Sequence, residues 1–188
     1  MSTQLDVINF ALNQISLPAV ESVDESFQAQ LIFNQLTTLL PFLLKQTDWN
    51  FALKFVEDNT PIVPPSGVSG NPYAWVYQLP ADYGQMDRFE ASRMWAFPYR
   101  IVDWLILTNQ SPVQYWYVVN SINDYSILPA TFIQALGFLA ASRVSLQLTK
   151  DENLTVYCKQ MYDDMRNAAV QLNDMERYVQ SQPHNDYD

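Results

Sequence analysis

Three pairs of adjacent acids (Glu57-Asp58, Asp151-Glu152 and Asp163-Asp164), one cysteine and one histidine are the side chains with which this chain could do chemistry. Acid–base or metal-assisted work needs groups that converge on one reacting point. Sequence neighbours on a helix or strand do not face one another, so the acid pairs read as caps and solvated faces. Cys158 is the sole cysteine, which allows no intramolecular disulfide and no cysteine-based metal site. His184, the sole histidine, sits in a polar stretch with no nucleophile to activate. Four glycines in 188 residues leave little material for a phosphate-cradling loop. No spacing singles out two distant acids as a glycosidase pair. The expectation is a protein without catalytic residues, cofactor or metal.

The composition describes a chain able to build a core. Its length suits one domain, or one domain with an insertion, and 48% of its residues are hydrophobic. Aromatics reach 14%, with 5 Trp, 11 Tyr and 10 Phe, more flat amphipathic surface than a lone monomer of this size needs. Tyr and Trp are favoured at interfaces. The net charge is −10 and it is dispersed. Residues 1–48 hold one base against five acids, 49–128 four against seven, and 129–188 five against eight. Nucleic-acid binding needs clustered Lys and Arg to displace counterions, and this field repels phosphate instead. The start, Met-Ser-Thr-Gln-Leu-Asp, lacks the basic and apolar regions of a signal peptide. The longest apolar stretch, 132–148, is interrupted by Gln134, Arg143 and Gln147 and is no membrane span. Synthesis and folding in a cytoplasm are expected.

The elements that must position these residues fall into three parts. A first helix is predicted over 4–15, capped by Ser2 or Thr3, with Leu5, Ile8, Leu12 and Ile15 as its stripe and Pro18 as its stop. Ser22-Val-Asp-Glu25 has the spacing of a capping box and opens a second helix over 23–46. Phe27, Leu31, Leu36, Leu39 and Leu43 are available for burial there, and Pro41 is expected to kink it or detach its last turn. Residues 59–72 read as a long Pro-rich loop. Around it lie predicted strands at 50–56, 73–78, 86–90, 100–107 and 114–119, with Asn109-Gln-Ser-Pro112 as a hairpin turn between the last two. Helix returns over 130–148, with Phe132, Leu136, Leu139, Val144 and Leu148 on an apolar face and Gly137, Ala140 and Ala141 allowing close approach.

The last predicted helix, over 153–179, carries Leu154, Cys158, Met161, Met165, Ala168, Leu172, Met175 and Val179 at alternating spacings of four and three. This is nearly four heptads of an a/d seam rich in adaptable Met. The pattern fits packing on the preceding helix, and also docking of one end of the seam on a neighbouring subunit. The nine residues 180–188 are polar; they form a plain terminus or order on a partner with Tyr187 as anchor. The expected fold is therefore α+β. A bundle of about four helices (1–48 and 129–179) carries a small antiparallel sheet inserted at 49–128, and 180–188 form a flexible tail.

Four motifs in this order resemble the head-to-tail adaptors of short-tailed bacteriophages, the tail tubular protein A-like family, over about residues 4–180. They are Val7-Ile-Asn-Phe-Ala-Leu-Asn-Gln-Ile-Ser with its Pro18/Val20 turn; Trp49-Asn-Phe51 at the exit of the second helix; Trp75-Val-Tyr-Gln-Leu-Pro-Ala-Asp-Tyr83; and Leu128-Pro-Ala-Thr-Phe-Ile-Gln-Ala-Leu-Gly leading into the third helix. In the third motif Pro80 is expected to end a strand, Asp82 to cap the turn, and Tyr77 and Tyr83 to pin it to the sheet, alongside Trp75 and Leu79. The chain departs from the family at Tyr83-Gly-Gln-Met, where a basic residue is usual, and at Val102-Asp-Trp104, where the family's hairpin commonly has a glycine.

The resemblance implies a non-enzymatic virion protein at the head–tail junction, assembled in the host cytoplasm into a homo-oligomeric, twelvefold ring under the portal protein. The ring would extend the DNA channel, through which DNA slides without sequence-specific binding, and carry the tail nozzle (tail tubular B-like) and tail fibres. The helical end and tail would meet the portal and neighbouring subunits through Met165, Leu172, Met175, Tyr178, Val179 and Tyr187, with the strand insertion facing the distal tail. The alternative from the residues alone is a helical binding or regulatory protein that uses the Met-rich final helix.

Overall fold

In a computed structural model of the chain, which describes residues 3–62, 72–89 and 98–181 (over 178–181 the backbone alone), the first helix is set by Thr3. The Thr3 hydroxyl accepts the Asp6 amide at 3.2 Å, and the Thr3 amide donates to the Asp6 carboxylate at 2.7 Å. This reciprocal cap starts α1 (Gln4–Gln14). Val7, Ile8, Ala11, Leu12 and Ile15 are buried, while Leu5 is half-buried. After α1, Asn9 clamps the turn by donating to the Val20 carbonyl and accepting the Val20 amide, both at 2.9 Å.

The second helix starts a turn later than its predicted box. The Glu25 carboxylate does accept the Glu21 and Ser22 amides, but it closes only a short 3-10 turn at Val23–Glu25. Ser26 is extended and takes the Ala29 amide on its hydroxyl at 3.1 Å, so α2 (Phe27–Leu44) has its own cap. Starting there turns Ala29, Ile32, Leu36, Leu39, Leu40, Leu43 and Leu44 inward and leaves Phe27 63% exposed, against expectation. The helix also runs through Pro41 to Leu44. Proline frees the carbonyl four residues back; that residue, Thr37, is exposed, where water can satisfy it.

α3 (Ala130–Thr149) and α4 (Glu152–Ser181) form an antiparallel pair. Lys150 adopts φ 61° to end α3, and the Asp151 carboxylate accepts the Asn153 and Leu154 amides at 2.9 and 3.3 Å to begin α4. Gly137 is needed where α1 presses on α3: a Cβ there would fall 2.4 Å from Phe10 Cδ1. With that space open, Phe10 meets Phe138 edge-on at 5.1 Å. These helices form one unit, Met1–Phe51 with Ile122–Asp188.

Ala52–Ser121 is a second unit. It holds β1 (Leu53–Asp58), β2 (Trp75–Gln78), β3 (Tyr83–Phe89), β4 (Tyr99–Val102), β5 (Leu105–Thr108) and β6 (Val113–Val119). They make two three-stranded antiparallel sheets, ordered β1-β6-β3 and β2-β5-β4, where the sequence pointed to one. The fold class is α+β with four α-helices among the described residues.

Three local readings change. Residues 50–52 form a 3-10 turn before β1. The single strand expected over 100–107 is a hairpin, β4–β5, pairing Val102 with Leu105; Asp103 takes the positive φ, 54°, that a two-residue loop demands. The hairpin expected at 109–112 is instead a link between sheets. Both edges of β5 are already taken by β2 and β4, so β6 pairs with β1 and β3. The Asn109 side chain accepts the Ala74 amide at 2.8 Å, tying that link to the start of β2. Residues 63–71 of the predicted Pro-rich loop, and Glu90 of a predicted strand, lie outside the described residues.

Gly84 sits at a register shift between β3 and β6. A Cβ there would lie 2.8 Å from the Val118 carbonyl oxygen and 3.0 Å from the Asn120 amide nitrogen. Those are backbone atoms that cannot step aside. Gly84→Ala should therefore destabilise the protein by about 1–3 kcal/mol, overriding the ~0.4–1 kcal/mol that the same change yields at an unstrained site. Urea unfolding decides the sign, and a variant as stable as the parent would remove the close-approach argument.

Candidate docking surface

Trp49 and Phe51, the Trp-x-Phe of the sequence motif, are positioned by three elements of the helical unit. Trp49 is buried, and its indole N–H donates at 2.9 Å to the Leu43 carbonyl, which also accepts the Gln46 amide at 3.2 Å at the end of α2. Its ring stacks on Phe51 at 5.7 Å, and both rings meet Phe132 of α3 edge-on, at 5.1 and 5.0 Å. From the other side comes Asn173 of α4, one of the few buried polar residues. Its Oδ1 accepts the Asn50 amide at 2.8 Å and its Nδ2 donates to the Asp48 carbonyl at 3.2 Å. Asn50 returns a bond from its own side chain to the Asn173 carbonyl at 3.0 Å. A cavity of about 80 Å³ remains between these rings and α4, lined in part by Leu172 and Glu176.

The α4 seam follows the heptad pattern only at first. Cys158 is fully buried, with burial raising its thiol pKa, and Leu154, Met161, Met165 and Ala168 are half-buried. Beyond that, burial passes to Ala169 and Asn173. A strict seven-residue repeat drifts by about 20° per heptad on a straight helix, so the seam walks off the face that α3 covers. Leu172 and Met175 are left 48% and 65% exposed. Of the six residues expected at an interface, the structure half-covers Met165 and bares Leu172 and Met175. Tyr178, Val179 and Tyr187 fall outside the described side chains.

In the strand unit the Leu-Pro-x-Asp motif carries the chain from one sheet to the other. The Leu79 amide donates to the Trp104 carbonyl at 2.9 Å in the β4–β5 hairpin, and the Tyr83 amide closes the turn on the Pro80 carbonyl at 3.0 Å. The Asp82 side chain was expected to cap this turn; it reaches across instead. Its carboxylate accepts Lys54 Nζ of β1 at 2.6 Å and the Tyr117 hydroxyl of β6 at 2.7 Å. Partial burial works to raise the Asp82 pKa, but these two donors outweigh it and hold the carboxyl below its ordinary value. The same contact acts in reverse on Tyr117, whose phenol is raised by burial first and by the Asp82 carboxylate second. Burial, with Asp58 nearby, also pushes Tyr115 up to about 12. Tyr83 lies against the Tyr117 ring at 5.8 Å, and Tyr77 is fully buried in β2. Trp75, at the strand's start, is exposed.

Sequence reasoning missed Asn173, Lys54, Tyr117 and Gly84. A signal for the first existed: Ala169 and Asn173 sit one turn apart beside the apolar seam, a small residue followed by an amide. The others are long-range pairings with no local signature. The acid pairs do not build a site: Asp163, Asp164, Asp151 and Glu152 are exposed, as is Glu57. Among the described residues no three of His, Cys, Asp and Glu stand together as a metal would require, and no helix is long and apolar enough to cross a membrane. No protein-family model matches the chain, and no curated protein matches it.

Three substitutions test these locks, one of them as a control. Asn173→Ala strands the Asn50 amide and the Asp48 carbonyl and should cost about 1–3 kcal/mol, while Met175→Ser, on the bare part of the same helix, should change stability by less than about 0.5 kcal/mol. Thermal unfolding of both variants separates covered from open helix. Asp82→Ala should cost about 1.5–3 kcal/mol at pH 7. Because the folded carboxyl titrates below its ordinary value of 3.8, that stability is present above about pH 4 and is lost as pH falls through the folded pKa. Denaturation curves of parent and variant should therefore converge as pH falls below about 4; a gap that stays unchanged however far pH is lowered would mean that the carboxylate charge is not what matters.

Proposed function

We propose that this chain is a head-to-tail adaptor of a short-tailed bacteriophage, a structural virion protein that forms a ring between portal and tail nozzle. The observation that carries the reading is the bare face of α4. The helix is tied to its own unit at Asn173 and again where Arg177 meets Asp48 at 3.7 Å, while Leu172 and Met175 stay bare on its outer face. Exposed Met and Leu on an otherwise polar helix fit a groove on a partner. The clasp at Trp49 and Asn173 fixes this part of α4, so the bare face is set before any partner arrives.

In this reading the portal and a neighbouring subunit cover the distal part of α4, with Met165 at the edge and Tyr178, Val179 and Tyr187 continuing the contact. The role is assembly rather than catalysis, without cofactor. DNA passes through a channel whose acidic subunits, at −10 each, keep phosphate from sticking to the wall. Nozzle and fibres attach on the distal side, and the subunits gather from the host cytoplasm. A helical regulatory protein that docks the same Met-bearing end on a cellular partner is the competing reading.

Native mass spectrometry of the chain with the portal protein from the same genome separates the two. A complex whose copy number matches the ring supports the adaptor, whereas a chain that stays monomeric beside the portal transfers the case to the regulatory reading. Leu172→Asp combined with Met175→Asp should weaken the portal complex at least about tenfold, with folding stability held within about 0.5 kcal/mol. Deleting 180–188 should likewise weaken docking and leave the melting temperature nearly unchanged; undiminished docking would remove the tail from the contact.

A further inference from the structure

On the helical unit, away from the open end of α4, lies a groove of about 330 Å³ between α2, α3 and the first half of α4. Its chemistry runs against that of the rest of the molecule. In a chain with twice as many acids as bases, two cations, Arg143 and Lys159, line it together with Phe42, Leu139, Ser142 and Tyr162. Both cations are exposed, and neither forms an ion pair among the described residues. A third, Arg166, stands behind them, its Nε donating to Gln46 of the groove wall at 2.7 Å. Tyr162 senses the balance of charge. Burial raises its pKa, and Asp163 adds to that, while Arg166 and Arg143 pull it down. The apolar part of the lining is equally unfinished, since Phe42 is 50% exposed above a buried Leu139. The site therefore offers an aromatic wall and two unpaired cations to a ligand that brings a ring flanked by carboxylates.

The chain contains one segment with that chemistry outside the described residues. Residues 182–188, Gln-Pro-His-Asn-Asp-Tyr-Asp, place Tyr187 between Asp186 and Asp188 with no Lys or Arg. We infer that this groove receives residues 182–188 of a second copy of the chain, Tyr187 against Phe42 and the flanking acids on Arg143 and Lys159. The segment cannot reach its own groove. From Tyr162 to Ser181 the helix is roughly 28 Å long at 1.5 Å per residue, whereas the seven residues beyond it span at most about 24 Å fully extended. A contact between a tail and a different surface on the next copy is heterologous, the kind that propagates around a ring. The inference thus deepens the ring-forming part of the proposed function, though the groove chemistry stands without it.

The test is fluorescence anisotropy of a labelled peptide of residues 182–188, titrated with the full-length chain at low salt and without the portal. Binding should saturate at one peptide per chain. It should weaken at least about tenfold in the chain carrying R143E and K159E, and equally when the peptide carries D186K and D188K. Pairing that peptide with the R143E/K159E chain should restore most of the affinity, which a merely misfolded variant could not do. Failure of the unaltered peptide to bind, or binding indifferent to both charge reversals, overturns the inference and leaves the groove to another acidic partner. Either result is independent of the portal experiment, so the two readings fail separately.

Discussion

The contact between Trp49, Asn50 and Asn173 governs the helical unit. It lies where the chain leaves α2, and every bond in it solves a problem that α2 and α4 cannot solve alone. The last carbonyls of α2 lack partners four residues on, and the Leu43 carbonyl takes the Trp49 indole at 2.9 Å as well as the Gln46 amide at 3.2 Å. The backbone of 48–50 must turn without a helix or strand to satisfy it, and the Asn173 amide takes both its donor and its acceptor. Buried polar groups of this kind cost more when half-satisfied than an apolar core would. The arrangement therefore holds as a set: the indole, the asparagine pair and the Phe51–Phe132 contact stand together. Its consequence is geometric. α4 is held at Asn173 and, one turn on, by the Arg177–Asp48 ion pair at 3.7 Å, so Leu172 and Met175 face outward on a fixed helix.

Asp82 has a comparable place in the strand unit. A small sheet is stable only when its hydrophobic face is covered, and the crossing from β2 to β3 is where the two sheets are joined. A carboxylate that accepts from β1 and β6 at once, in a turn whose Leu79 amide is bonded to the β4–β5 hairpin, ties both sheets to one short segment. The Leu-Pro-x-Asp motif is thus a structural crossing. Its proline ends the strand, and its aspartate works at long range.

This difference between local and distant work marks what the sequence made legible. The helices were readable because caps and periodicity are local: Thr3 with Asp6, and the apolar positions of α1 and α3, stand within a few residues of one another. Phe27 misled because a second cap at Ser26 shifted the helical face, and a capping-box pattern at Ser22 outweighed it on paper. The strands were visible as aromatic and β-branched runs, but their partition into two sheets was not. Whether β5 has a free edge depends on β2, thirty residues away, and no spacing reports that. Of the candidate interface, Leu172 and Met175 were legible as seam positions. That they are open while Cys158 is closed follows from the drift of a heptad pattern along a straight partner, a three-dimensional effect.

Charge sets the remaining constraint on any assembly of this chain. Copies that each carry −10 repel one another over a Debye length of about 8–10 Å at physiological salt. A stable ring must therefore place attractive contacts where repulsion is locally reversed. The helical unit holds few such places, because its acids are dispersed and most of its bases are isolated. The groove bearing Arg143 and Lys159 is one, and the bare apolar end of α4 is another that needs no charge at all. The two respond oppositely to salt: screening weakens an ion-paired contact and leaves an apolar one intact, while it relieves the long-range repulsion for both. In the adaptor we propose, the acidic surface keeps subunits apart and the channel non-adhesive, and association is left to two short-range contacts.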